Sequence, residues 1–510
     1  MTTRYITTPI YYLNAAPHLG HVYTTVAGDM MARYWRLQGA KVKFLTGTDE
    51  HGQKIAQAAE AAGRDPRSHV DEMAEIFREM TKAINATPDV FIRTTEDRHY
   101  KAAQALWNKL VESGDIYLGS YSGWYAVRDE AYYDESEIVD GKAPSGAPVE
   151  WVEQPSYFFR LSKWEDALLK HYEAFPQAIA PISRHNEVIS FIKGGLKDLS
   201  ISRNNFTWGV PVPGDRDHVM YVWMDALTNY ITALGYPDTN AEDFRDFWPE
   251  SIHLMGKDIL RFHAVYWPAF LMAAGIHPPK RIFAHGWLIS DGQKMSKSLG
   301  NVVSPYQLIE KYGLDQMRYF LMREVPFGQD GNYSDAAMTA RINSDLANDL
   351  GNLAQRVLSF IQKNCDAVIP TPGELNEDDL ALLASATHLH TALMEDMNQQ
   401  ALHKYCEHVG EVVVKANRYI DHQRPWSLNK SGTPEDKKRM ETILYVLLEI
   451  IRHVGTFYQP VMPETMARLL ALLGQGDVTF ADLKTPLKSG AALPAPMPLF
   501  PRIESETDAD

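Results

Sequence analysis

Two short stretches hold residues whose types and spacing could do chemistry. Pro17-His18-Leu19-Gly20-His21 lies between a strand-like run, Arg4–Tyr12, and a helical pattern, Val22–Gln38. His18 and His21 stand at i and i+3, so they share a face of the first helical turn. Free backbone N–H groups and the helix dipole at that point attract anions. Gly20 removes a side chain and lets a ligand approach the backbone. The imidazoles therefore have two readings: caps of the helix, or hydrogen-bond donors to a phosphate.

The second stretch is Asp291–Asn301, DGQKMSKSLGN. Its glycines and polarity predict a mobile surface loop. Lys294 and Lys297 bracket Met295 and Ser296. Such a loop is either a solvated turn or a cationic flap that closes on a leaving pyrophosphate. The first βα turn has neither GxxxxGK[ST] nor GxGxxG. Any ATP chemistry must then rest on histidines at a helix start plus lysines supplied from elsewhere.

These residues need a scaffold, and the first half of the chain alternates strand and helix. Lys41–Thr46 follows the first helix and completes a βαβ unit, which implies a parallel sheet. Further strands are expected at Val90–Thr94, Val219–Val222, Ile252–Met255 and Arg281–Ala284. Tyr117–Pro213, dense in Tyr, Gly, Pro and Ser, breaks this rhythm and reads as an insertion. From Asp335 the pattern is helical: Asp335–Gln362, Asp378–Met397, Leu402–His422 and Pro434–Thr456. The expected organisation is an α/β, Rossmann-type parallel-sheet catalytic domain split by an insertion, then an all-α helical bundle. Its boundaries are 1–116 and 214–334 for the catalytic halves, 117–213 for the insertion, and 335–475 for the bundle. Residues 476–510 form a C-terminal segment whose apolar Leu493–Pro501 packs back, with a disordered tip at Ser505–Asp510.

Composition narrows the class. The 510 residues are 45% hydrophobic and 23% charged, with a formal charge of −15. These values fit a soluble globular protein and argue against a broadly basic nucleic-acid scaffold. Only Cys365 and Cys406 occur. There is no disulfide framework, and a reducing, cytoplasmic compartment is expected. No secretory signal or membrane span is read from the chain.

The two motifs resemble the paired HIGH and KMSKS signatures of class I aminoacyl-tRNA synthetases. The longer strings TPIYYLNAAPHLGH, FLTGTDEHG, YVWMDALTNY, GKDILRFHAVYWPA and GWLISDGQKMSKSLGN are similar to those of the methionyl-tRNA synthetases. The likeness covers most of the chain, continuing into the helical region. It implies methionine activation by ATP with Mg2+, then transfer to the terminal adenosine of tRNA. It places His18, Gly20, His21, Gly256, Asp258, Lys294 and Lys297 at the nucleotide. His18, His21, Lys294 and Lys297 are the catalytic candidates, with Lys297 first for the pyrophosphate. Asp49 would pair with the substrate ammonium. Ile10, Tyr12, Trp223, Tyr230, Ile259, His263 and Trp267 would line the side-chain pocket. The spacing of Ile259, His263 and Trp267 predicts one helical face.

In the helical region, Asn348, Asn352 and Arg356 recur every four residues, and Pro425-Trp426 is read as ending a helix. Taken alone, these are a polar face and a core tryptophan, or base-reading groups. The resemblance assigns Asn348, Asn352, Arg356 and Trp426 to the CAU anticodon of tRNA(Met). Between Ser334 and Lys430 acidic residues outnumber basic ones. Recognition must then rest on specific contacts rather than a basic field.

The chain departs from many relatives in two ways. Tyr117–Pro213 contains no cysteine, so no structural zinc is expected there. The end of the sequence leaves no room for a dimerising barrel, so a monomer is expected. Two competing readings are a nucleotidyl transferase acting on another small acid without RNA, and a non-catalytic tRNA-binding relative.

Overall fold

The computed structural model describes residues 2–129, 131–133, 135–290, 293–294 and 303–504. Contacts divide the chain into two units. One comprises Thr3–Pro17 and Val42–His285; the other comprises Met1–Thr2, His18–Lys41 and Gly286–Asp510. This division groups the first helix and the residues from Gly286 onward with the helical region. The sequence boundaries put the first helix and residues 286–334 in the catalytic domain.

The first unit is built on a seven-stranded sheet. Thr3–Thr7 lies between Lys41–Asp49 and Ser251–Gly256; Arg281–His285 and then Ile179–Ala180 extend the second side. Val90–Arg93 pairs with the outer edge of Lys41–Asp49, and Tyr11–Tyr12 extends the inner one. The registered pairings are parallel, for example Ile6↔Ile252 and Leu254↔Phe283. Strand order thus reverses at Thr3–Thr7. Open α/β sheets bind ligands at the carboxyl ends of strands beside such a reversal. Tyr12, Asp49 and Gly256 occupy those ends. Lys41–Asp49 turns from exposed to buried along its length, as a strand entering a covered sheet should. Gly47 is required there: a β-carbon would fall 2.0 Å from the Ile92 carbonyl oxygen.

Helices on the sheet close a core around Leu106 and Trp107, Leu227 and Ile231, and Phe270. Phe270 meets Phe159 edge-on at 4.8 Å. The insertion is mostly antiparallel. Ile116–Ala126 pairs with Glu150–Phe159 from Ile116↔Phe159 to Tyr125↔Glu150. Aromatic pairs knit it, Tyr117 with Phe158 and Trp124 with Trp151. It is not one continuous excursion from the sheet. Ile179–Ala180, inside the 117–213 span, returns to pair with Ile282 and Phe283. Two residues are too few to give a period-2 signal.

The second unit is largely helical. Its first helix, Leu19–Leu37, buries Asp29 completely. Burial would raise this carboxyl, but Arg318 at 2.6 Å and Arg33 at 2.7 Å hold it below its usual range. Arg318 is itself fully buried and also donates to the Val461 and Pro460 carbonyls. The helix expected over Asp335–Gln362 contains a π segment, Ile342–Gly351, before α geometry resumes at Asn352–Asn364. The one expected over Asp378–Met397 is two helices, Glu377–Thr387 and Leu389–Asn398, meeting at His388. Near the end, Leu493, Leu499 and Phe500 are buried, and Asn343 exchanges two hydrogen bonds with the Ile503 backbone.

No helix among the described residues is long and apolar enough to cross a membrane. Among them, no group of three or more His, Cys, Asp or Glu could hold a metal ion.

Candidate active site

His18 is the N-cap of the Leu19–Leu37 helix, with extended backbone at φ −131°. Its Nδ1 accepts the Gly20 N–H at 3.1 Å. His21, in turn, accepts the His18 N–H on its own Nδ1 at 3.2 Å. This is a reciprocal capping box built from two imidazoles instead of Ser and Glu. The rings stack with centroids 3.8 Å apart. Gly20 is needed for it, because a β-carbon would lie 2.9 Å from His18 Cε1.

The cap fixes the tautomer. A ring nitrogen that accepts a backbone N–H carries no proton, so each neutral imidazole bears its hydrogen on Nε2. Burial and then the neighbouring His18 hold His21 well below the usual histidine range. Two Nε2–H donors therefore sit at a helix N-terminus, where the dipole also favours an anion. The capping reading of the histidines is realised, through Nδ1 of each ring.

Of the two loop lysines, Lys294 belongs to a two-residue strand, Gln293–Lys294, paired antiparallel with Leu288–Ser290. Leu288–Ser290 also pairs with Gly331–Tyr333. The mobile loop expected to start at Asp291 is therefore in part a hairpin. Lys297 lies outside the described residues.

Among the pocket candidates of the other unit, Tyr230 and His263 are joined directly. Tyr230 Oη is 2.8 Å from His263 Nε2, and His263 Nδ1 is 2.9 Å from the Ile259 carbonyl oxygen. A carbonyl only accepts, so Nδ1 carries the proton and Nε2 accepts from Tyr230. Burial pushes His263 down to about 4, against weaker opposing effects of the Ile259 carbonyl and Asp258. Trp223 stands edge-on to His263 at 6.0 Å and stacks flat on Phe262 at 3.8 Å. Tyr230 stacks on His253 at 4.0 Å and tilts against Trp267 at 6.3 Å. Ile10, Tyr12 and Ile259 are partly buried against the same core. Such a wall of rings around a fixed hydroxyl suits a thioether side chain.

The helical run expected to carry Ile259, His263 and Trp267 is not uniform. Lys257–Ile259 is 3-10, Leu260 and Arg261 are α, Phe262–Tyr266 is a π turn, and α geometry resumes at Trp267. Such wider turns recur at functional sites. Gly256 ends its strand, and a β-carbon on it would come within 2.6 Å of Asp258 Oδ1. Asp258 itself is exposed. Asp49 closes the Lys41–Asp49 strand and is 8% exposed.

His263 also predicts a pH dependence. Its folded-state pKa lies below the unfolded value near 6.5, so the unfolded chain takes up a proton that the fold refuses. Its part of the stability is complete above about pH 6.5 and declines as pH falls toward about 4. The urea midpoint of the wild type is expected to fall more steeply through that window than that of His263→Gln. Parallel slopes would count against the assignment.

Among the helical-region candidates, Asn348 and Asn352 are exposed, while Arg356 and Trp426 are half-buried. The single face read from their spacing is altered, because Asn348 lies in the π segment and Asn352 begins the α-helix. Arg356 bonds Asp421 at 2.7 Å and lies over the Trp426 ring at 5.4 Å. Pro425-Trp426 starts a helix, Pro425–Ser431, rather than ending one. Arg424 terminates Leu402–Gln423 in the left-handed region at φ 47°, and Pro425 takes the first position of the next helix. Sequence reasoning missed the buried Glu50 and His51 beside Asp49. Three consecutive ionisable residues at a strand end were the available signal.

Comparison with known proteins supplies the family. A model described as class I tRNA synthetases (M) matches residues 4–148 and 143–358. A second, the anticodon-binding domain of methionyl tRNA ligase, matches residues 369–510. The methionine–tRNA ligase of Brucella suis biovar 1 is 56% identical over 98% of this chain and 97% of its own. The structure of Mycobacterium tuberculosis methionyl-tRNA synthetase in complex with methionyl-adenylate superposes with a TM-score of 0.96 at 53% identity, covering 98% of this chain and 100% of that one. With these matches running from the strand sheet through the helical region, the chain belongs to the methionine–tRNA ligases of the class I aminoacyl-tRNA synthetases.

Proposed function

We propose that this methionine–tRNA ligase activates methionine with MgATP through the residues described above, and reads the CAU anticodon of tRNA(Met) through its helical region. The methionine carboxylate attacks the α-phosphate, methionyl-adenylate forms, and pyrophosphate leaves. The methionyl group then passes to the 3′-terminal adenosine of the tRNA. No enzyme nucleophile is needed, so catalysis is positioning and charge stabilisation.

The observation that carries this reading is the pair of imidazoles locked as Nε2–H donors at a helix N-terminus. His18 and His21 donate to phosphate oxygens. Lys297, backed by Lys294, neutralises the departing pyrophosphate. Asp258 and Gly256 serve the nucleotide's ribose side. Asp49 takes the methionine ammonium. Ile10, Tyr12, Trp223, Tyr230, Ile259, His263 and Trp267 surround its side chain. Magnesium enters as part of the substrate and screens the phosphates. Asn348, Asn352, Arg356 and Trp426 contact unpaired anticodon bases. We further propose that it acts as a cytoplasmic monomer.

Amino-acid-dependent ATP–pyrophosphate exchange tests the assignment. Exchange is expected with L-methionine and is expected to drop in Lys297→Ala. Exchange supported only by another acid, or by none, overturns it.

A further inference from the structure

Asp49 is followed by two buried ionisable residues, and both are tied down. Glu50 is fully buried. Arg93 reaches its carboxylate twice, at 2.6 and 2.9 Å, and the Thr48 and Thr95 hydroxyls donate at 2.6 and 2.5 Å. Its backbone N–H donates to Thr94 at 3.0 Å, and its carbonyl accepts from Trp208 Nε1 at 2.6 Å. His51, 1% exposed, points the other way. Its Nδ1 is 2.7 Å from Asp225 Oδ2, and its Nε2 is 2.9 Å from the Tyr100 hydroxyl. The second oxygen of Asp225 is 2.6 Å from His99 Nε2.

Asp225 has no exposed surface, and the two imidazoles hold its carboxyl down at about 2 against the burial that would raise it. A carboxylate only accepts, so His51 donates through Nδ1, and in the neutral ring Nε2 accepts a hydrogen bond from the Tyr100 hydroxyl. The link therefore has one polarity and one length. It joins the strand end that carries Asp49 to the helix Val222–Thr232. That helix also carries Trp223 and Tyr230, two residues before Asp225 and five after it. A buried ionised carboxylate is a poor way to gain stability, since well-packed apolar groups do as well. What it supplies is fixed geometry between two elements that are distant in sequence.

We propose that the His51–Asp225 pair is a positioning strut that sets the spacing between the ammonium-binding Asp49 and the Trp223/Tyr230 wall of the methionine pocket. It rests on the methionine-site reading given above. Neither strut residue is placed on the substrate; they act through Asp49 and through the helix. A strut of this kind makes side-chain length part of the selection. The distance from ammonium anchor to ring wall is then held against a longer or shorter homologue.

The experiment measures KM for methionine, KM for ATP and kcat in pyrophosphate exchange, together with the ethionine-to-methionine ratio of kcat/KM. Asp225→Asn is expected to raise KM for methionine about tenfold, as the loss of one charged hydrogen bond would. KM for ATP and kcat are expected to stay within about twofold, and the ethionine ratio to move toward unity. His51→Ala is expected to behave like Asp225→Asn. His51→Asn keeps an amide N–H where Nδ1–H stood and is expected to retain most of the wild-type KM. The Asp49→Asn variant separates the two claims. A raised methionine KM there, without one in Asp225→Asn, overturns the strut alone; an unchanged KM there overturns the site reading and the strut with it. Equal losses in His51→Asn and His51→Ala, or a parallel change in all three constants, reduce the pair to fold maintenance and overturn the proposal. The two His51 variants decide the question if Asp225→Asn does not fold.

Discussion

His18→Asn is expected to lower kcat for methionine-dependent pyrophosphate exchange by about 10²–10³, the usual cost of one donor aimed at developing charge. The melting temperature should barely move. The two effects separate because the two ring nitrogens have different work. Nδ1 caps the helix by accepting the Gly20 N–H, and asparagine is among the best N-cap residues, with its side-chain oxygen within reach of the same N–H. Nε2–H has no counterpart in asparagine. His18→Ala removes both functions, so it should show the same catalytic loss plus about 1 kcal/mol of stability. KM for methionine should be unchanged in both, since the pocket residues are untouched. If His18→Asn keeps its activity while His18→Ala loses it, the histidine is only a cap. The proposed phosphate role would then fall to His21 and the lysines.

That example shows why the sequence was informative here and where it stopped. The i, i+3 histidines at a strand-to-helix junction were legible because helix geometry is local, and local spacing determines which side chains share a turn. The longer strings around Asp49, Trp223 and His263 offered pocket candidates only through their resemblance to the family. The identity of the capping atoms was not legible, since it depends on ring rotation, which no spacing encodes. The π turns at Phe262–Tyr266 and Ile342–Gly351 escaped because one extra residue per turn leaves an apolar pattern nearly intact. The Ile179–Ala180 strand is too short to have a period, and only its parallel partners define it. The Asp225–His51 bond spans 174 residues, and a polar pair at that separation leaves no mark in either local segment. Trp426 was placed correctly as a residue beside a helix end, but on the wrong side of it. The left-handed Arg424 that separates the two helices is a non-glycine residue in an unfavourable region, which sequence statistics disfavour.

Trp426→Ala is expected to reduce kcat/KM for tRNA charging by about 10–100-fold while leaving pyrophosphate exchange within about twofold. The size follows from stacking: an aromatic ring under an unpaired base contributes about 1–3 kcal/mol by alanine substitution. The local structure fixes the surroundings of the ring. Pro425 fixes the start of its helix, and the Trp426 ring borders a hollow of about 200 Å³ with Arg356, Phe360, Ile420 and Leu444. The guanidinium of Arg356 lies over the ring at 5.4 Å and is steadied by Asp421. An arginine over an indole adds a cationic surface for a base, so ring and guanidinium should act together. Arg356→Ala should then show a similar charging defect, and the double variant should lose less than the sum of the two. The charging defect should appear in KM for tRNA more than in the adenylation rate, because activation needs no RNA. A variant that lost exchange and charging in equal measure would place Trp426 in the support of the fold instead. Unchanged charging at normal stability would leave anticodon reading to Asn348 and Asn352.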